Sequence, residues 1–108
     1  MSKASRTKGH SFERKIAIML RSIFPKARRQ LEYHEDDCLG VDIAGTGRFK
    51  FQCKKLKAYA SVNTIREIQC DRLLGDVPVL VTAGDNQEAM AVLPWADLLE
   101  LLESYRDR

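Results

Sequence analysis

The apolar residues of this chain repeat with two different periods, and segments of the two kinds alternate along it. Phe12, Ile16, Met19, Leu20 and Ile23 fall at i, i+4, i+7, i+8 and i+11, one stripe of a helix. Ser11 is placed as its N-cap, and Pro25 ends it just after Phe24. Residues 28–34 (RRQLEYH) and 48–54 (RFKFQCK) instead alternate polar and apolar, as strands do. In the second run Phe49, Phe51 and Cys53 share one face and Lys50, Gln52 and Lys54 the other. Between the two, EDDCLG reads as a loop, residues 41–44 as a short strand, and Gly45-Thr46-Gly47 as a tight hairpin turn. Thr64-Ile65-Arg66-Glu67 fits a capping box, and Ile65, Ile68 and Leu73 continue it as a second helix. Residues 77–82 (VPVLVT) read as a buried strand, Gly84-Asp85-Asn86 as a turn, and 89–93 as a return strand. Pro94 opens a last helix whose stripe is Trp95, Leu98, Leu99, Leu102 and Tyr105, expected to serve as core or as a dimer surface.

A chain that switches period in this way has to pack helices on a sheet. The predicted fold is α/β, one domain with a central mixed β-sheet flanked by helices, in the order α-β-β-β-α-β-β-α. At 108 residues the chain suits one domain with its own core. Residues 1–9 are predicted to form a flexible basic arm, and 10–108 the domain. There is no internal repeat.

The net charge of +3 conceals a sharp partition. Residues 1–30 carry nine Lys/Arg and one acid, Glu13. Residues 31–47 carry five acids and no Lys/Arg, and residues 48–57 five Lys/Arg and no acid. Two basic blocks suit a polyanion such as DNA or RNA. The acidic block between them would repel that polyanion unless a cation sits there, which is the pattern a metal-dependent nuclease needs. Solvated faces of a small domain give charge runs too.

No apolar run approaches the ~18–20 residues that cross a bilayer, and no signal peptide is evident. The cysteines, Cys38, Cys53 and Cys70, have no CxxC spacing and read as free thiols. The expected compartment is therefore the cytoplasm, a host's if the chain is phage-encoded. His34, Cys38 and one distant cysteine would make a zinc set, but Cys53 in its strand reads better as a small core residue.

The hairpin between residues 41 and 54 carries the chemistry. Gln52 and Lys54, two apart on one strand, project from the same face, and a hairpin sets that face beside Asp42. Glu13 borders the apolar stripe of the first helix and can reach the same sheet edge. Phosphodiester hydrolysis uses such a group. A hard divalent cation takes oxygen ligands and activates water. A lysine beside it orients that water or offsets charge developing on phosphorus. Taken singly, each residue has a plainer reading. Glu13 could pair with Lys8 or Lys15, Asp42 could end a strand, and Gln52 and Lys54 could be the wet face of theirs.

In chain order these residues resemble the PD-(D/E)xK nuclease superfamily, and within it the archaeal-type Holliday junction resolvases and their phage relatives. Lys8-Gly9-His10-Ser11-Phe12-Glu13-Arg14 resembles the opening K-G-x-x-x-E-R, and Gly40-Val41-Asp42-Ile43 the strand with the central aspartate. Phe51-Gln52-Cys53-Lys54 takes the place of the (D/E)xK tripeptide, and residues 75–81 that of a later core strand. The likeness covers about residues 6–93. It implies a restriction-endonuclease-like fold and a Mg²⁺-dependent endonuclease, with Mn²⁺ as substitute, resolving branched DNA as a homodimer. Glu13, Asp42, Gln52 and Lys54 would be catalytic, and Glu13, Asp42, Gln52 and the backbone carbonyl of Cys53 would hold metal.

Gln52 departs from the pattern, because an amide oxygen ligates Mg²⁺ without bringing charge. One of Glu35, Asp36 or Asp37 could compensate. Lys3, Arg6, Lys8, Arg14, Lys26, Arg28 and Arg29 would bind DNA backbone, with Lys50, Lys55 and Lys57 flanking the cut. The competing readings are a binding module with a degenerate site, and a relative that cuts flaps or ends.

Overall fold

The structure, a computed structural model, describes residues 3–30 and 40–108, with side chains from residue 8 onward in the first segment. Helix α1 (Lys3–Leu20) is followed by β1 (Arg28–Arg29), β2 (Ile43–Ala44) and β3 (Phe49–Lys55). Two 3₁₀ helices (Val62–Glu67 and Arg72–Leu74) lead to β4 (Val77–Ala83), β5 (Met90–Val92) and α2 (Trp95–Arg106). The chain is an α/β protein with both parallel and antiparallel strand pairs.

Strand β3 lies parallel to β4, from Phe49 opposite Val77 to Lys55 opposite Ala83, and β5 pairs antiparallel with β4. Because side chains alternate across a strand, Phe49, Phe51 and Cys53 of β3 share a face with Val77, Val79, Val81 and Ala83 of β4. Phe12, Ile16, Ala17 and Leu20 of α1 cover that face, and Phe24 packs tilted against Phe49. On the opposite face Gln52, Leu80 and Thr82 are buried beneath the crossover from β3 to β4. The Thr82 hydroxyl fastens that crossover, accepting from Ala60 N at 2.9 Å and donating to Lys54 O at 3.0 Å.

Several sequence expectations change. The basic arm is helical from Lys3, because Lys, Ala and Arg are good helix formers and continue α1 backwards. Ser11 is thus inside the helix, and Lys8 is pinned by an ion pair with Asp85. The same helix ends at Leu20, before Pro25, where Ile23 N and Phe24 N both turn back to Leu20 O. Ile23 consequently leaves the stripe and stands exposed.

The second predicted helix is a pair of 3₁₀ turns. Ser61 rather than Thr64 caps the first, Ile68 is extended, and Asp71 caps a separate turn that Gly75 ends in a left-handed conformation. Two capping side chains ten residues apart divide the segment, and no apolar stripe of helical length binds it together. The single predicted sheet is two: β1 pairs antiparallel with β2, and β3-β4-β5 form the other. The predicted strand 28–34 is described only at Arg28–Arg29. Its remainder and the loop holding His34, Glu35, Asp36, Asp37 and Cys38 lie outside the described residues.

Finally, α2 forms where its stripe places it, but it is not core. Trp95, Leu99, Leu102 and Tyr105 are exposed. Among the described residues, no helix is long and apolar enough to cross a membrane.

Candidate active site

Asp42 is where the two sheets meet. Its backbone N donates to Phe51 O at 2.8 Å, and its carbonyl accepts from Gln30 N at 2.7 Å, so it is stitched to β3 on one side and to the chain leaving β1 on the other. The next ladder position on β3 is Cys53, and there the Asp42 carboxylate takes over from backbone. Oδ2 accepts from Cys53 N at 2.7 Å. With a side chain in place of a carbonyl, the expected hairpin ladder between residues 41–44 and 48–54 does not form, and β2 and β3 stay in separate sheets. This arrangement also leaves the carboxylate at the strand edge.

Glu13 comes to the same edge from α1. Its position next to the buried Phe12, and one turn before Ile16 and Ala17, turns it toward the sheet, and its side chain is 16 % exposed. Oε2 accepts from Arg29 Nε at 3.0 Å. Arg29 is carried there by the β1–β2 ladder, in which it lies opposite Ile43, the neighbour of Asp42.

The electrostatics follow from this placement. Burial pushes the Asp42 carboxyl up from 3.8 to about 6; the Cys53 N–H opposes the rise, the Glu13 charge adds to it, and Lys54 and Arg29 oppose it. Glu13, Asp42, Lys54 and Arg29 are therefore within electrostatic reach of one another. The Cys53 thiol packs in the core, and burial, then Asp42 and Glu13, push its pKa up, so it is no nucleophile. In a strand the N–H and C=O of one residue point to the same side. The Cys53 carbonyl is thus directed to the edge where its N–H meets Asp42.

Gln52 precedes that N–H. It is 3 % exposed, so it is not the wet face of a strand, and its Oε1 has no hydrogen-bond partner among the described residues. A buried amide oxygen without a donor costs about 1–3 kcal/mol. Among the described residues, no three His, Cys, Asp or Glu side chains converge as a metal centre. Gln52, between the two β3 residues that bond Asp42, carries an amide and not a carboxylate.

No protein-family model, curated protein or solved structure matches this chain. The site therefore stands on its own geometry.

The basic residues divide into groups. Lys8 from α1 pairs with Asp85 in the β4–β5 turn, and Lys55 and Lys57 also lower the Asp85 pKa after that hydrogen bond. Lys8 from α1 and the Lys55/Lys57 pair at the end of β3 thus act on one acid. Lys55 Nζ also donates to Gly84 O at 2.8 Å. Arg14, Lys26, Arg28 and Lys57 are exposed, while Lys50 is half-buried and bonds Gly47 O. Lys3 and Arg6 lie in the first turns of α1.

Arg28 and Lys50 also line a cavity of about 430 Å³ with Gln30, Gln69, Asp71 and Asp76. Arg29 differs from the other predicted backbone-binding residues because it sits on Glu13. The alternation RRQ of β1 was its signal, since it sends Arg28 and Arg29 to opposite sides.

Proposed function

We propose that the chain is a metal-dependent endodeoxyribonuclease of the PD-(D/E)xK type acting on branched DNA. The observation that carries this reading is the arrangement of Asp42 on Cys53 N and of Glu13 with Arg29 at the edge of β3, with the charges of Glu13, Lys54 and Arg29 felt at Asp42. The residues fit a hard divalent cation: two carboxylates that repel each other and an amide oxygen of Gln52 with no partner among the described residues. Glu13, Asp42, Gln52 and the Cys53 carbonyl would hold Mg²⁺ or Mn²⁺, which would supply Lewis acidity and a more acidic bound water.

The chain's own groups do the rest. Asp42, with Oδ2 held by the Cys53 N–H, would offer its second oxygen as a ligand. Lys54, two residues along β3 from Gln52, presents a cation to the attacking water and the phosphate. Arg29 holds Glu13 in place and offers the guanidinium face that remains to a phosphate oxygen. Lys8, Lys55 and Lys57 form a positive group at the β4–β5 turn that would seat DNA backbone, with register but no base reading.

One observation favours the alternative, a binding module that cuts nothing: Glu13 is already paired with Arg29, and Gln52 brings no charge. Incubating the protein with matched four-way junction, flap, duplex and single-strand DNA in Mg²⁺ or Mn²⁺ separates the two. Nicks lost in Asp42→Asn, with junction binding retained, support the nuclease. Binding without cleavage at any metal concentration supports the module. Preference for flap or end substrates moves the assignment within the superfamily.

A further inference from the structure

The cavity that Arg28 and Lys50 line lies behind the candidate site. Side chains alternate across a strand, so Arg29 goes to Glu13 and Arg28 to the other side of β1. Val41 and Ile43, the neighbours of Asp42, likewise line the cavity while the Asp42 carboxylate goes to Cys53 N. The volume of about 430 Å³ falls in the range of small-molecule sites.

The charged lining is of two kinds. Arg28 and Lys50 come from β1 and β3, and Asp71 and Asp76 from either end of the second 3₁₀ helix. Among the described residues, none of the four is in an ion pair. Each is held by backbone instead. Arg28 Nη1 donates to Lys26 O at 3.2 Å and Lys50 Nζ to Gly47 O at 3.1 Å, which leaves both with further N–H donors. Asp71 Oδ1 accepts from Leu73 N and Leu74 N, and Asp76 Oδ2 from Asp71 N at 2.8 Å. Asp71 Oδ2 and Asp76 Oδ1 accept from no group among the described residues. Two cations and two carboxylates are thus fixed around one cavity without neutralising each other, with donors and acceptors left for a ligand.

We infer that the cavity binds a guanine nucleotide unit, its phosphate on Arg28 and Lys50 and its base edge on Asp71 and Asp76. Three features select that class. Guanidinium and ammonium groups take phosphate oxygens. The remaining carboxylate oxygens need N–H donors, and guanine presents N1–H and the N2 amino group side by side on its pairing edge. Adenine and cytosine present the amino group alone there, and uracil or thymine a single imino N–H between two carbonyls that a carboxylate repels. Val41 and Ile43, both buried, give an apolar wall for the flat ring.

Other ligand classes leave part of this lining unmatched. An apolar molecule would strip water from four charged groups and return no bonds. A simple anion would leave the carboxylates unused. Free guanosine monophosphate and an unpaired guanosine of a strand carry the same chemistry, because an unpaired base is read on its pairing edge. The inference rests on the cavity and not on the nuclease reading.

The test uses the whole chain without divalent metal. Calorimetric titration with guanosine 5′-monophosphate (GMP) should saturate at one per chain, about tenfold or more tighter than with uridine 5′-monophosphate (UMP). Cys70 lines the cavity, while Cys53 packs in the core. In a Cys38→Ser chain, GMP should therefore slow maleimide labelling of Cys70 in proportion to occupancy. Asp71→Asn and Asp76→Asn keep an oxygen for the backbone bonds, so the circular dichroism should hold while the preference for GMP over UMP is lost. Arg28→Ala with Lys50→Ala should weaken both nucleotides alike. The single-stranded trinucleotides TGT and TTT separate the two sources. Protection of Cys70 by GMP marks a free nucleotide, and protection by TGT but by neither GMP nor TTT marks a unit of a strand. Equal binding of GMP and UMP, equal protection by TGT and TTT, or the same protection by inorganic phosphate overturns the inference. So do GMP binding that leaves Cys70 labelling unchanged, a preference that survives both asparagine variants, and no binding at all. Cleavage is not read in this experiment, so its failure leaves the nuclease proposal standing.

Discussion

Asp42→Asn should stabilise the metal-free protein at neutral pH. The carboxyl's pKa is 3.8 when unperturbed and about 6 in the fold, with burial the largest cause. A shift of one unit corresponds to 1.36 kcal/mol, so the ionised carboxylate costs the fold at most about 3 kcal/mol. Water on its open side reduces this to about 1–2 kcal/mol. Asparagine has the same shape and keeps an oxygen to accept from Cys53 N.

The folded pKa is raised, so between pH 3.8 and about 6 the native state holds the proton more than the unfolded chain does. The stability that Asp42 contributes is complete below pH 3.8 and is lost as pH rises through about 6. The asparagine variant lacks this loss. Urea or thermal unfolding in a chelator should therefore show equal stability for the two proteins near pH 3.5 and a gain for the variant at pH 8. At ~4–8 °C per kcal/mol, the Tm gain is about 4–16 °C. Divalent metal should reverse the order, since it stabilises only the protein that binds it, by ~2.7 kcal/mol at a hundred times Kd. A variant that is less stable at pH 8, or that differs by the same margin at pH 3.5, would refute the claim that burial strains this carboxylate.

Lys54→Ala should lower the cleavage rate by about 10²-fold or more while metal still raises Tm, because it removes a charge near the reacting phosphate and no metal ligand. Junctions cut equally fast by this variant would remove the proposed site. Log Kd for DNA should change by ~0.9 per phosphate contact for each decade of salt, and deletion of residues 1–8, with Lys3, Arg6 and Lys8, should lower that slope by up to about 3. Gln52→Glu should destabilise the metal-free protein by at least ~1–3 kcal/mol, because the position is 3 % exposed, and should lower the Mg²⁺ concentration needed for half-maximal cleavage. Unchanged stability and unchanged metal dependence in that variant would place Gln52 outside the site.

The strands that build the site were legible because alternation is a local signal. Phe49, Phe51 and Cys53 do face the core, and residues 77–82 do form the central strand. Glu13 borders its stripe, as its spacing from Ile16 and Ala17 requires. The exposure of α2 was not legible, since Leu99 and Leu102 have the same spacing whether a sheet or a second chain covers them. Nor was the 3₁₀ pair: Thr64 and Glu67 satisfy a capping pattern, but Ser61 caps at Asn63 N and Asp71 at Leu73 N and Leu74 N, and those caps set two short turns. Asp42 shows a third limit. Nothing local says that its carboxylate, not a carbonyl, will take the Cys53 N–H and split the sheet.

The burial of Gln52 changes how its departure from the (D/E)xK pattern is understood. In the sequence it read as an uncharged metal ligand, with a degenerate site or the wet face of a strand as the alternatives. In the fold it lies beneath the crossover, one residue from the N–H that Asp42 holds. A glutamate there would be a third carboxylate near Glu13 and Asp42, and Asp42 is already pushed to about 6. Without metal such a group would take up a proton rather than ionise, and the site would be neutral when empty and costly to charge. The amide avoids that second proton. It gives an oxygen at the same place, keeps the net charge of the acid pair near that of Lys54 and Arg29, and leaves the empty site compatible with a folded chain at neutral pH. On the proposed nuclease reading, weaker metal binding would be the consequence, and the Mg²⁺ dependence of Gln52→Glu would measure its size.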